Sequence, residues 1–359
     1  MSWENNVRKV VPYVAGEQPE GKVIKLNTNE FPYAPSPMVA TRIYDLAENE
    51  IKDETSMLRK YPNTNSDNLV NALSEVYNVD RDKIFVGVGS DDVLALSFLT
   101  FFNSDKPVLF PDITYSFYDV WASLFKIPFE IQPLKDDFTI NKEDYFKTNG
   151  GIIIPNPNAP TGIMESREMF EEILKKNPDS VVIVDEAYVD FGADSMLPLI
   201  DKYDNLLVVQ TFSKSRALAG LRIGVAFGNT KLISFLKDVK YSFNSYTINY
   251  PAIEIATAAC RDTDYWKETV AKVIKTREWT KTKLKELGFE FADSKANFIF
   301  ASHKTVPAEH IFTALKEKDI YVRFWNKARI SNHLRITIGT DAEMEELIKS
   351  LKEIIENYA

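Results

Sequence analysis

Leu206-Leu207-Val208-Val209-Gln210-Thr211-Phe212-Ser213-Lys214-Ser215-Arg216-Ala217-Leu218-Ala219-Gly220-Leu221-Arg222 decides how this chain is read. Its opening, residues 206–209, has the unbroken hydrophobicity of a strand buried on both faces. Lys214 follows that strand between two serines, with Arg222 a short way on. A desolvated lysine near a second cation has a lowered pKa and is nucleophilic near neutrality. That suits an amine asked to form a Schiff base beside an anion. Taken alone, a lysine after a strand is usually a surface lysine, so its neighbours in the fold must decide.

Three more strand-like runs end in polar residues. Val181-Val182-Ile183-Val184 ends in Asp185-Glu186-Ala187-Tyr188. In open α/β sheets, ligands bind outside the carboxyl ends of the strands. A carboxylate there can keep a pyridine nitrogen protonated, and the Tyr188 hydroxyl can reach the same cleft. Gly151-Ile152-Ile153-Ile154 leads into Pro155-Asn156-Pro157-Asn158-Ala159-Pro160-Thr161-Gly162, a stiff turn that would aim the Asn156 amide. Ile84-Phe85-Val86 leads into Gly87-Val88-Gly89-Ser90-Asp91-Asp92, a glycine turn opening a helix. Free N–H groups at that terminus, with the Ser90 hydroxyl, make an anion site. The run resembles a dinucleotide fingerprint, but Asp92 stands where that pattern needs glycine.

The alternation predicts the fold class. Residues 1–28 read as an arm. Over 29–250, strand-like runs alternate with amphipathic helices, among them 66–73 with Ser66 as N-cap and 166–176. That pattern predicts an α/β large domain, a mainly parallel central sheet sandwiched by helices. Residues 251–359 predict a smaller α+β domain. It has a long helix over 264–287 closed by Gly288, strands at 297–301, 321–324 and 334–338, and a helix over 341–358.

Composition narrows the function. The chain has 359 residues and a formal net charge of −9, which argues against nucleic acid as a partner. The longest apolar run, 93–102, is too short to span a bilayer, and Met1-Ser2-Trp3-Glu4-Asn5-Asn6 lacks the features of a signal peptide. Cys260 is the single cysteine, which fits a reducing, cytoplasmic setting. His303, His310 and His333 show no metal-ligand spacing, so no metal is expected. An acidic protein with anionic substrates must gather positive charge locally, which draws attention to its arginines.

These motifs resemble fold-type I pyridoxal-phosphate aminotransferases, and within them the histidinol-phosphate aminotransferase family. The residues that carry the resemblance include Pro12-Tyr13, Leu26-Asn27-Thr28-Asn29-Glu30, Tyr61-Pro62, Thr114-Tyr115, Ser213-Lys214, Val322-Arg323 and Leu334-Arg335, besides the strand ends above. Small departures are Ala159 where Asn is common and Ser215-Arg216 where Ala-Phe is frequent.

The resemblance implies pyridoxal 5'-phosphate as cofactor and a ping-pong exchange between histidinol phosphate and 2-oxoglutarate, with glutamate as product. It implies that Lys214 holds the cofactor and moves the proton, and that Asp185 pairs with the pyridine nitrogen. Tyr188 and Asn156 would meet the phenolic oxygen, and Tyr115 would stack on the ring. Ser90, Asp91 N–H, Ser213 and Arg222 would hold the phosphate. Tyr61 would reach the cofactor of the other subunit in a homodimer. Arg335 would anchor a carboxylate or phosphate, and Arg323 and Tyr13 the second anionic end. Other readings stay open on the same residues. They are an aromatic amino-acid aminotransferase, a phosphothreonine-type decarboxylase, a nicotinamide-dependent oxidoreductase and a non-catalytic binder of the same cofactor.

Overall fold

The computed structural model describes residues 3–358; Met1 and Ser2 of the N-terminal hexapeptide and Ala359 of the last domain lie outside it. Its elements, in chain order, begin with β1 (Ile24–Lys25), α1 (Pro37–Glu50) and α2 (Asp67–Tyr77). Then come β2 (Ile84–Gly87), α3 (Gly89–Phe101), β3 (Val108–Pro111), α4 (Tyr118–Phe125) and β4 (Phe129–Gln132). They are followed by β5 (Gly151–Pro155), α5 (Arg167–Lys176), β6 (Val182–Asp185), β7 (Leu206–Thr211) and β8 (Gly224–Gly228). Helices α6 (Thr230–Phe243), α7 (Tyr250–Arg261) and α8 (Thr263–Glu286) lead into β9 (Phe289–Phe291) and β10 (Phe298–His303). The chain closes with α9 (Ala308–Glu317), β11 (Ile320–Tyr321), β12 (Arg323–Phe324), β13 (Leu334–Thr337) and α10 (Asp341–Tyr358).

The large sheet has seven strands in the order β2-β8-β7-β6-β5-β3-β4. Only β8 runs against the others. Successive side chains of a strand point to opposite faces. Here both faces are buried. Val182, Val184, Leu206 and Val208 enter one apolar layer, and Ile183, Leu207 and Val209 enter the other. That double burial is why these runs are apolar without interruption. Helices α2, α5 and α7 cover the first layer; α3, α4 and α6 cover the second. Helix packing on the large sheet therefore continues past residue 250 to the end of α7.

A four-stranded antiparallel sheet, β12-β13-β10-β9, packs with α8, α9 and α10 around a separate apolar cluster. The expected strand at 321–324 is two short pieces. Tyr321 pairs with Lys25 of β1, and Arg323 pairs with Arg335 of β13. The arm thus includes a strand that joins the C-terminal unit.

Ser66 corrects the expected cap. It has φ 54, its hydroxyl makes no cap bond, and Asn63 Oδ1 instead accepts from the Asp67 N–H at 3.4 Å. A left-handed backbone swings the serine side chain away from the helix it precedes. Ser166 does cap α5, accepting from Met169 N–H at 3.3 Å.

The amino-terminal rim of the sheet is closed by three asparagines. Asn149 donates to Asn177 Oδ1 at 2.6 Å, and Asn177 donates to Tyr145 O at 2.9 Å and Ile173 O at 2.8 Å. Asn205 donates to Asn177 O at 2.8 Å and Ser180 O at 3.1 Å. Each lies in the turn that feeds β5, β6 or β7.

Candidate active site

The opposite rim gathers the polar strand ends. Pro155 is opposite Asp185, and Asp185 is opposite Val209. Gly224 is opposite both Thr211 and Gly87. Two glycines are required there. A Cβ on Gly224 would lie 2.3 Å from Gly89 C, and one on Gly89 (φ +82) would lie 2.6 Å from Arg222 Nη2. Their absence of side chain lets the N-terminus of α3 sit against β8 and the arginine.

The result is a cavity of about 110 Å³ lined by Ser90, Asp91, Tyr115, Asp185, Ser213, Lys214 and Arg222, with Ala159, Tyr188 and Thr211. A larger cavity of about 560 Å³ shares Tyr115, Ala159, Tyr188 and Lys214 with it and adds Tyr13, Arg323 and Arg335.

At the inner cavity, Asp185 is buried and its carboxyl is pushed up to about 6 by burial, against hydrogen bonds from Tyr118 and Ala187 and the charge of Lys214. Tyr118 donates its hydroxyl to Asp185 Oδ2 at 2.8 Å. A buried carboxyl of this kind is costly to ionise until a positive partner faces it. Glu186, the next residue, points elsewhere. It accepts from Ser195 Oγ at 2.7 Å and Gln210 Nε2 at 2.9 Å, and burial pushes it up to about 7.

Lys214 Nζ donates to Thr28 O at 3.3 Å and lies 5.6 Å from the Tyr188 ring centroid. Asn29 Nδ2 donates to the Tyr188 hydroxyl at 2.9 Å. Asp91 binds Tyr115 OH at 2.7 Å and Arg222 Nη2 at 3.1 Å. Ser213 Oγ is buried without a hydrogen-bond partner. A buried orphan hydroxyl is unfavourable and calls for an acceptor or donor in the cavity it faces.

At the outer cavity, Arg323 and Arg335 are direct cross-strand partners. Like charges opposite each other destabilise a strand pair. The Trp325 ring centroid lies 5.3 Å from each guanidinium carbon. Among the described residues neither arginine forms an ion pair with a carboxylate. Arg335 Nη2 donates to Asn27 O at 2.8 Å, its Nε has no partner, and burial lowers its pKa. Tyr13 stacks on Phe117 at 4.1 Å beside them.

Asn156, expected to contact cofactor or substrate, lines neither cavity. Its Nδ2 donates to Glu165 O at 3.1 Å and its Oδ1 accepts from Glu165 N–H at 2.8 Å. Each end of the amide makes one bond to the chain, which leaves one Nδ2 hydrogen uncommitted, and Ala159 is the residue of that turn that lines both cavities. Arg216 also points away. Its Nη1 donates to Ala259 O at 3.1 Å, and its guanidinium lies 3.8 Å from the Trp266 ring centroid. Tyr61 is 80% exposed, packs on Tyr246 and lines neither cavity of its own chain. Local sequence gives no role to Tyr118 or Asn29. Tyr118 sits in an aromatic-rich stretch that reads as core, and Asn29 meets Tyr188 only through the fold.

The residues present fit pyridoxal phosphate. The orphan Ser213 hydroxyl, the α3 N-terminus and Arg222 suit a phosphate, and the buried Asp185 carboxyl suits a ring nitrogen that carries a proton. Residues 21–351 match the family model of aminotransferase class I and II. The chain is 53% identical to a histidinol-phosphate aminotransferase of Lactococcus lactis subsp. cremoris over 99% of each chain. It is 50% identical to one of Clostridium botulinum over 98% of each. Its fold is similar to that of a histidinol-phosphate aminotransferase from Sinorhizobium meliloti solved in complex with pyridoxal-5'-phosphate. That pair has a TM-score of 0.84 at 23% identity, covering 94% of this chain and 92% of the other.

Proposed function

The chain belongs to the class I and II aminotransferases, pyridoxal-phosphate enzymes, and from that premise we propose that it acts on L-histidinol phosphate. The amino group passes to 2-oxoglutarate, giving imidazole-acetol phosphate and L-glutamate in histidine biosynthesis. The observation that carries this reading is the opposed pair Arg323 and Arg335, which lack carboxylate partners among the described residues and line one cavity with Lys214. An anion held between two such guanidiniums relieves their repulsion, and bidentate contact suits both phosphate and carboxylate.

Bound pyridoxal phosphate supplies a sink for the electrons left when a proton leaves the substrate Cα. Lys214 holds the cofactor and then carries that proton, a transfer worth roughly 10²–10⁴-fold. Asp185 would face a protonated ring nitrogen and fix its charge. Tyr188 would donate to the phenolic oxygen, and Tyr115 would pack on the ring. Ser90, the Asp91 N–H, Ser213 and Arg222 would hold the phosphate. Arg335 takes the carboxylate or phosphate common to both substrates; Arg323 and Tyr13 take the further anionic end.

The active unit is a cytoplasmic homodimer in which Tyr61 of one subunit reaches the phosphate held by the other. Mixing Lys214→Ala with Tyr61→Ala subunits then restores activity in hybrid dimers; no recovery after proven subunit exchange removes the shared site. Tyr13, Tyr115 and Trp325 line the same cavity, which favours an aromatic amino-acid donor as the second reading. The deciding measurement is kcat/KM for histidinol phosphate, phenylalanine and tyrosine with 2-oxoglutarate. A preference for either amino acid moves the assignment to an aromatic aminotransferase.

A further inference from the structure

The segment Asn27-Thr28-Asn29 touches three functional side chains in succession. Asn27 O accepts from Arg335, Thr28 O accepts from Lys214, and the Asn29 amide donates to Tyr188. Asn29 is 1% exposed and holds φ 57, a left-handed backbone that a residue other than glycine keeps only when its surroundings impose it. Thr337 and Asn297 impose it. The Asn29 N–H donates to Thr337 Oγ1 at 3.1 Å, and Asn297 Nδ2 donates to Asn29 O at 3.1 Å.

The direction of these bonds follows from the donors present and from the lack of another acceptor for the Thr337 hydroxyl among the described residues. The Asn29 backbone N–H can only donate, so Thr337 Oγ1 accepts there. The Thr337 hydroxyl proton is then free to go to Asn29 Oδ1, 2.9 Å away. That places the amide oxygen on the Thr337 side and the NH₂ on the Tyr188 side, an orientation that follows from the partners. A tyrosine hydroxyl carries one proton. Because Tyr188 accepts from Asn29, its own proton is left to donate elsewhere, and Tyr188 lines both cavities beside Lys214.

We propose that Asn29, locked by Thr337, is a positioning residue that aims the Tyr188 hydroxyl proton into the site and so lowers the proton affinity of the Lys214 nitrogen in the holoenzyme. The proposal rests on the reading that Lys214 carries pyridoxal phosphate. A hydrogen bond donated to the anionic phenolic oxygen draws charge from it. Less negative charge then remains to hold a proton on the adjoining lysine nitrogen. If Tyr188 instead gave its proton to residue 29, that restraint would vanish. The charged and titratable groups around the pair are Asp185, Glu30, Arg335, Tyr115, Tyr118 and the Asp91–Arg222 ion pair, and none of the substitutions below alters them.

The test is a pH titration of the visible absorption band of the substrate-free holoenzyme, with cofactor affinity measured alongside. Asn29→Asp keeps size, the left-handed backbone and the Thr337 contact but replaces a donor by an acceptor. Thr337→Val removes the lock without adding charge. Tyr188→Phe removes the hydroxyl. Asn29→Asp and Tyr188→Phe should each raise the midpoint by about one pH unit, and Thr337→Val by about half as much. The double variant Asn29→Asp/Tyr188→Phe should rise no further than Tyr188→Phe. A carboxylate acting only through its charge would keep its full shift when Tyr188 is replaced. That result overturns the proposal, and so does an unchanged midpoint in both Asn29→Asp and Thr337→Val. A wild-type protein with no visible band would instead remove the pyridoxal-phosphate reading beneath it.

Discussion

The two cavities that meet at Lys214 treat charge in opposite ways. In the inner one, the chain answers its own charges: Asp91 holds Arg222, and Tyr118 and Ala187 support Asp185. In the outer one, two arginines are opposite each other across β12 and β13 beside one indole, and no carboxylate of the described residues pairs with either. A resident group needs a site that persists and leaves it only a few groups to meet, here the Ser213 hydroxyl and the Asp185 carboxyl. A substrate that comes and goes needs a site whose imbalance it alone corrects. On the proposed function, cofactor takes one side and exchangeable anion the other.

Four measurements would break or sharpen that contrast. Lys214 belongs to both cavities, so Lys214→Ala should cost the most. Cofactor should still bind, while transamination falls by about four powers of ten, read as single-turnover rate. Borohydride should fix the cofactor on Lys214 in the wild type; an adduct mapped to another lysine would end this assignment.

Asp185→Asn acts on the inner side alone. Its rate should fall by about three powers of ten with substrate KM little changed. A loss under about tenfold, or ~1.4 kcal/mol, means the carboxylate is not paired with the ring.

On the outer side, Arg335→Ala should lower kcat/KM by about two powers of ten for every donor, through the lost charged contact. Arg323→Ala should lower it by that much for histidinol phosphate but by under about tenfold for phenylalanine, which lacks a phosphate. Equal losses for both donors would show that the two arginines do not divide the work.

The last effect is on stability without cofactor rather than on turnover. Asp185 is held above its ordinary range, at about 6, and Glu186 at about 7, both by burial. A carboxyl with a raised folded pKa favours folding while protonated, and that stability is lost as pH rises through the folded value. Cofactor-free Asp185→Asn should therefore gain up to about 3 kcal/mol over the wild type above pH ~6, and little at pH ~4, in urea unfolding. With cofactor bound the gain should disappear, because a protonated ring nitrogen compensates the charge.

Much of this was legible in the chain. Four apolar runs, each ending in a polar group, placed Ser90, Asp185 and Lys214 on one rim, because strand ends in a parallel sheet share an edge. Orientation was not legible. A proline-rich turn can aim an asparagine amide inward or back at its own backbone, and the contact of Asn156 with Glu165 is the second case. Arg216 differs from Arg222 only in where the turn releases it, and its partners lie on α7 and α8, far along the chain. The Arg323–Arg335 pairing depends on a register between two strands separated by a loop. Asn29 depends on Thr337, 308 residues away. Local pattern reports which groups exist at a strand end; only the folded chain sets which of them face each other.

The asparagine stitching at the far rim has a consequence for the order in which the molecule comes apart. Asn177 is bound on both sides, to Asn149 and through its carbonyl to Asn205, so no turn can leave alone without stranding a buried amide. Each stranded group costs about 1–3 kcal/mol. The backbone amides entering β5, β6 and β7 should then exchange with deuterium last, and together, at the rate of global unfolding. Residues 325–333, which join β12 to β13 outside any strand, should exchange earlier. The sheet is fastened at the rim that does no chemistry, which leaves motion to the rim that does.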